Sequence, residues 1–485
     1  MKDVRVTIPG LGAVRGQTHD GIDTFKGVPY AAPPVGPLRW RPPAPQAPWS
    51  ETLVADRFGP GCLQVAPAGH AMDETCDYAE DCLYLNIWRP VSANPTGLPV
   101  MVWIHGGGFA FGTGASPITD GAALARRGVI VITINYRLGR FGWFAHPELT
   151  REAAGQATAN FGLMDQIAAL HWVQEHIAAF GGDPGNVTVF GVSAGARSVQ
   201  MMMSAPAARG LFSKAIAQTS GPRMRCRDLA TAETYGSALA DALGVPDLAA
   251  LRAAAPDAVL ALDMPEEHET APILDGVLIA HDIDDAFERG LQAPIPHLLG
   301  SNDYEASNFL DLMPPPDEVL AGLPEPLRQA VLDVYGATAG DDASHIVAGM
   351  VTDQICTEPA RFVADRHART GQPVFRYLFG YVPQGLVTER AGAGHGEEQP
   401  YVFGTLDAVS RWRGVVTDVD RARAEDIGRY WTNFAKTGDP NGPGLPQWPA
   451  DGADTLLRFA PDGPAPEHHF WRARLDLWAQ VASAN

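Results

Sequence analysis

The five residues Gly191-Val192-Ser193-Ala194-Gly195 follow directly on a short apolar run, Val187-Thr188-Val189-Phe190. A serine between a strand and a helix, with glycines two positions before and after it, can serve as a nucleophile on a tight turn. The turn lifts the hydroxyl above the sheet and the glycines relieve the crowding. The free N–H groups at the start of the following helix point at the same spot. A second cluster, His105-Gly106-Gly107-Gly108-Phe109, follows the apolar run Val100 to Ile104. Acyl transfer through a serine needs preorganised N–H donors for the oxyanion of the tetrahedral intermediate, and glycines let the backbone come close. Gly107, Gly108 and Ala194 are therefore the candidate oxyanion-hole donors. A phosphate cradle would also be glycine-rich, but neither Gly-Lys-Ser/Thr nor a G-x-G-x-x-G opening a helix is present. His105 lies on the wrong side of these glycines to act as a base and reads as structural.

Such a site needs a sheet to hold it. Leu83 to Trp88, Val100 to Ile104 and Val129 to Ile134 are short runs rich in β-branched or aromatic residues. They suit strands buried on both faces. Val4 to Ile8 reads as an opening strand, followed by Pro-rich turns from Ala31 to Trp49. Between Leu163 and Phe180 the period changes to three and four residues, with Gly181-Gly182 as the stop. The strand Val187 to Phe190 follows, and then a second helix. Strand, helix, strand, helix reads as one α/β domain over 1–485. Roughly 225–350 is expected to be a helical insertion roofing the sheet, which resumes near Val374 to Phe379.

Composition agrees. The chain has 485 residues, 46% of them apolar and 19% charged, enough for a sizeable core. Its 51 Gly and 41 Pro mark a loop-rich protein. A net charge of −20 disfavours nucleic-acid partners. No apolar run reaches the length of a membrane span. The opening MKDVRVTIPG lacks the apolar stretch of a secretory leader, so the expectation is a cytoplasmic protein, or a secreted or periplasmic one whose leader has been removed. Five cysteines leave at least one unpaired, and without a Cys-x-x-Cys spacing no structural zinc is expected. No metal or organic cofactor is expected.

A serine nucleophile needs a base and a group to orient it. In α/β-hydrolases the chain order is Ser, acid, His, which restricts the base to a histidine well after Ser193. Of the 14 histidines, His395 stands out, in the loop Gly392-Ala393-Gly394-His395-Gly396-Glu397-Glu398. His468 and His469, near the C-terminus, are the alternatives. The chain resembles the type-B carboxylesterases, the cholinesterase-like and para-nitrobenzyl-esterase-like branch of the α/β-hydrolases. The resemblance is carried by Phe25 to Ala31 (FKGVPYA), Glu80 to Asn86 (EDCLYLN), the His105 glycine run and Asn135 to Gly139 (NYRLG). It continues through Phe180 to Pro184 (FGGDP), the Ser193 turn, His395-Gly396 and Trp431 to Pro440 (WTNFAKTGDP). It implies a central, mixed, mostly parallel sheet flanked by helices, with helical insertions over the active site.

The family's acid is a Glu in a G-x-x-x-D-E-G segment, and Gly300 to Ala306 (GSNDYEA) occupies that place. The resemblance thus implies Glu305 as the acid that holds His395. Tyr304 and Ala306 depart from the family pattern, which leaves Asp303 as an alternative. It also implies a Cys62–Cys82 disulfide, worth about 3 kcal/mol for a loop of about 20 residues and pointing to an exported protein. Cys76 leaves the pairing open, and Cys226 and Cys356 read as buried thiols.

The reading is a serine carboxylesterase that acts through an acyl-serine on a small-molecule ester, as a monomer or homodimer. Cholinesterases resemble it in frame but carry Glu just before the nucleophile, where this chain has Val192. The 62–82 loop also has no Trp to face a quaternary ammonium. Phe109, Phe111 and Phe309 are candidate pocket walls. Arg223, Arg225 and Arg227 alternate in a very acidic chain, with Arg197 on the helix after Ser193. Guanidinium groups grip carboxylates, so Arg223 and Arg225 are candidate substrate residues for carboxylate-bearing esters such as fumonisin-type tricarballylate esters. That would fit a detoxifying role. The bland reading is surface ion pairing. Rivals are an amidase, carbamate hydrolase or lactonase using the same triad, and a catalytically silent adhesion protein resembling neuroligins.

Overall fold

The apolar runs become strands in the computed structural model, which describes residues 2–65, 75–91, 96–223, 225–264, 271–310, 313–339, 342–450 and 454–484. The chain falls into two compact units, 1–215 with 224–286, and 216–223 with 287–485.

In the first unit Lys2–Ile8, Gly12–His19 and Ile22–Pro29 form an antiparallel meander that continues into Tyr84–Pro90. Tyr84–Pro90 pairs antiparallel with Ile130–Ile134. From there the sheet turns parallel: Leu98–Ile104 lies between Ile130–Ile134 and Gly182–Val192. Val100 to Ile104 and all of Ile130–Ile134 are buried, as expected for strands covered on both faces. The register sets Ile104 beside Gly191. The loop after the first strand and the turn after the second therefore leave the same sheet edge side by side. The helix expected over 163–180 runs Phe161–His176 and tightens through Ile177–Phe180, ending at Gly181 with φ +85°. Glycine adopts that left-handed conformation at no steric cost.

In the second unit His297–Asn302, Val374–Phe379 and Thr455–Ala460 are parallel neighbours, and Gly463–His468 closes a hairpin on the last. Asn302 is level with Phe379. Residues just after Asn302 and the loop after Phe379 thus share one edge although 80 or more residues can separate them in sequence.

The stretch read as a helical insertion over 225–350 is divided. Leu229–Ala242, Leu248–Ala253 and Pro256–Ala261 are helices of the first unit. Pro316–Ala321, Glu325–Ala339 and Ala343–Thr352 belong to the second. Between them the fully buried strand His297–Asn302 interrupts the helices.

The Cys62–Cys82 bridge is not formed. Both are buried free thiols, hydrogen-bonded to each other, and Cys62 Sγ accepts the Leu138 N–H at 3.1 Å. Cys356 is a buried thiol as expected, and Cys226 is half-buried. Among the described residues no helix is long and apolar enough to cross a membrane, and no cluster of His, Cys, Asp and Glu has the arrangement of a metal site.

Candidate active site

Ser193 sits at φ +55°, ψ −123°, between the strand Gly182–Val192 and the helix Ala194–Ser204. A side chain in that region of backbone space is strained and is held there by its surroundings. The flanking glycines show how. A Cβ on Gly191 would lie 2.7 Å from the Ile104 carbonyl oxygen, and one on Gly195 would lie 2.1 Å from the same atom. The turn is pressed so closely against the end of the neighbouring strand that only glycine fits. Ala194 is the first helical residue, so its N–H has no intrahelical acceptor.

The glycine loop lies against this turn. A Cβ on Gly106 would sit 2.9 Å from the Val192 carbonyl oxygen and 3.1 Å from Ser193 Cβ. The Gly107 carbonyl accepts N–H bonds from Ala110 and Phe111, both at 3.0 Å. Gly107 and Gly108 adopt φ +104° and +59°, and among the described residues their N–H groups donate to no acceptor. His105 is structural, as its position suggested. Its ring stacks on Tyr136 at 4.4 Å, and Nδ1 donates to the Gly106 carbonyl at 2.8 Å. Burial pushes its pKa down to about 4, so the ring is neutral. Phe109, read as a pocket wall, is a core side chain: it is 6% exposed and packs edge-on against Trp143 at 4.7 Å.

Glu305 and His395 belong to the second unit. Glu305 Oε2 lies 2.6 Å from His395 Nδ1. A carboxylate accepts, so Nδ1 carries the proton and Nε2 is left to take another. Glu305 is fully buried, and its Oε1 accepts from Thr219 Oγ1 and from the Asn302 N–H, each at 2.7 Å. Thr219 is fixed in turn by its own N–H to the Gly300 carbonyl at 2.9 Å. Burial by itself would lower the His395 pKa, but the Glu305 carboxylate outweighs it and leaves the imidazole above its ordinary 6.5. Glu398 is buried beneath the pair, accepting from Gln218 Nε2 at 3.0 Å and Asn302 Nδ2 at 2.8 Å. Burial, and then the nearby Glu305 charge, raise its pKa.

Asp303, the alternative acid, does something else. Its Oδ1 accepts the Ala393 N–H at 2.8 Å, and Gly380 and Gly392 pack closely against its carboxylate. It clips the histidine loop to the sheet, and burial raises its pKa to about 6. Gln218, Thr219, Asn302 and Glu398 were not foreseen as site residues. The adjacent acids of His-Gly-Glu-Glu were the one visible hint, and nothing in the sequence marks Thr219.

The arginines fare differently one by one. Arg223 Nη1 lies 3.4 Å from Glu358 Oε1, and its guanidinium stacks 3.8 Å over the Phe362 ring. Its charge is already compensated, so it is not an open carboxylate clamp. Arg227 stacks over Tyr235 at 4.6 Å. Arg197 is buried and hydrogen-bonds the Cys226 thiol. Arg225 is exposed.

A model of the carboxylesterase family matches residues 2–462. The chain belongs to the carboxylesterase family. This carboxylesterase is 37% identical to the para-nitrobenzyl esterase of Bacillus subtilis (strain 168) over 464 residues, which cover 90% of this chain and 91% of that protein. It is also 37% identical to the fumonisin B1 esterase of Sphingopyxis macrogoltabida over 452 residues, 90% of this chain and 83% of that one. A solved PNB esterase superposes with a TM-score of 0.83 at 35% identity, covering 97% of this chain and 99% of the other. The carboxylesterase therefore has the α/β-hydrolase fold, with a mixed, mostly parallel sheet and flanking helices. It is a carboxylic ester hydrolase that acts on small-molecule esters.

Proposed function

We propose that Ser193 is the nucleophile, His395 the general base and Glu305 the acid that orients it. The reading is carried by the 2.6 Å contact between Glu305 Oε2 and His395 Nδ1, which leaves Nε2 as a proton acceptor. His395 takes the Ser193 proton as the oxygen attacks the ester carbonyl. The N–H groups of Gly107, Gly108 and Ala194 receive the oxyanion. His395 returns the proton to the leaving alcohol, and an acyl-serine remains. Water then attacks with His395 again as base, releasing the acid. Replacing Ser193 by Ala is expected to abolish hydrolysis of neutral p-nitrophenyl esters and labelling by a fluorophosphonate. Turnover surviving in Ser193→Ala would remove the serine from the mechanism.

A second reading, esters that carry carboxylates, is supported by the similarity to a fumonisin B1 esterase and by the exposed Arg225. Comparing a tricarballylate ester with a neutral ester of the same alcohol tests it. Arg225→Ala should lower kcat/KM on the acidic ester alone. An equal effect on both esters ends that reading.

A further inference from the structure

The residue two after His395 is a buried carboxylate with cationic partners. Glu397 is 4% exposed, and its Oε1 accepts from Arg390 Nη1 at 2.6 Å and Arg411 Nη2 at 2.9 Å. Its Oε2 turns back and accepts the Gly394 N–H at 2.8 Å. The Glu397 N–H closes a turn onto the Gly394 carbonyl at 3.1 Å. His395 and Gly396 are the two central residues of that turn, and Gly396 has the positive φ, +74°, that suits glycine there. The Gly394 carbonyl also receives Asn302 Nδ2 at 2.6 Å. The peptide groups on either side of Gly394 are thus both tethered, immediately before the imidazole.

We propose that Glu397, gripped by Arg390 and Arg411, is a positioning residue for His395. One carboxylate joins the limb entering the loop, the turn that carries the imidazole and a segment downstream. A buried charge is costly unless it is paired and hydrogen-bonded, and here both oxygens are used. Its position matters because His395 must meet the serine proton, the leaving oxygen and the attacking water in succession. A displacement of about 1 Å at such a centre can cost about a hundredfold in rate. Glu305 sets the ring's tautomer from one side, and Glu397 sets where the ring's backbone stands.

This rests on the reading of His395 as base, so His395→Ala is run beside the Glu397 variants on a neutral p-nitrophenyl ester. His395→Ala should lose essentially all turnover. Glu397→Ala should lower kcat by about 10- to 100-fold with KM within about twofold. Glu397→Gln, which keeps an acceptor for the Gly394 N–H but loses the charge, should recover part of that loss. Arg411 is 64% exposed, so Arg411→Ala should fold normally and lower kcat by a few-fold. The low-field proton resonance of the His395 Nδ1–H should move in Glu397→Ala. Wild-type kcat in Glu397→Ala and Arg411→Ala, with His395→Ala inactive, overturns the positioning role alone. An active His395→Ala overturns the reading beneath it. A Glu397→Ala protein that melts early, while Glu397→Gln and Arg411→Ala keep full kcat and an unmoved resonance, would reduce the clamp to fold support and overturn the proposal.

Discussion

A carboxylate can orient a histidine only if its own oxygens are held, and Glu305 meets that condition. Oε1 is fixed by Thr219 and the Asn302 N–H, leaving Oε2 a single direction towards His395 Nδ1. Asp303, two residues earlier, spends its carboxylate on the Ala393 N–H. The two acids therefore separate experimentally. Glu305→Gln should lower kcat/KM by about 10³- to 10⁴-fold through loss of the correct tautomer. Asp303→Asn should keep activity within about tenfold and lower Tm instead, by loosening a loop bond worth about 1 kcal/mol. A steady-state assay with a melting curve on each variant checks both. The acid limb of the rate profile gives a further reading. His395 works as a base only when neutral, and its pKa stands above 6.5 because Glu305 faces it. Activity should therefore fall with decreasing pH around a midpoint above 6.5. In Glu305→Gln the midpoint of the residual activity should move down, because the charge that held the proton is gone. A midpoint unchanged by that substitution would mean another charge sets it.

At the level of elements, the site depends on how tightly adjacent strand ends approach. The Ser193 turn is possible because Gly191 and Gly195 lie against the Ile104 carbonyl. Gly195→Ala puts a methyl 2.1 Å from that oxygen, and the strand or the helix must shift, at about 3 kcal/mol or more. Gly108 has open space around a Cβ at φ +59°, so Gly108→Ala should cost only about 1 kcal/mol from its backbone conformation. Thermal melts should rank the two in that order, with ester turnover lost in Gly195→Ala. The same geometry explains what could be read from sequence. Strands such as Ile130–Ile134, apolar but for Thr133, are buried on both faces, and the two glycine motifs follow directly from such strands. The strand His297–Asn302 is equally buried, but His-Leu-Leu-Gly-Ser-Asn holds only two large apolar residues. Its polar groups are satisfied inside, by bonds such as Asn302 Nδ2 to Gly394 and Glu398. No hydrophobic run announces it, and the stretch reads as part of an insertion. Thr219 was invisible for a related reason: its role comes from the three-dimensional neighbour Glu305, 86 residues away.

For the whole molecule, titration links folding to pH through groups buried in each unit. In the first unit His105 is buried with its pKa pushed down to about 4. In the second, His367 is fully buried and its pKa is lowered by burial, although Nε2 donates to the Ile295 carbonyl at 2.7 Å. An unfolded histidine titrates near 6.5. Below that pH the unfolded chain binds a proton that the folded His367 refuses, so this residue removes stability as pH falls. Buried carboxylates act in the opposite sense: Asp303, raised to about 6, takes up its proton more readily folded than unfolded, and so gains stability as pH falls towards 3.8. The slope of the wild-type melting temperature is therefore a sum of opposed parts, and a variant has to isolate one. His367→Gln keeps a donor for Ile295 but cannot titrate. Its melting temperature, measured against wild type at pH 7.5 and pH 5.5, should rise relative to wild type at the lower pH. The limiting slope for one histidine is about 1.4 kcal/mol per pH unit. A difference between the two proteins that does not change with pH would mean that His367 takes up its proton as readily in the folded chain as in the unfolded one.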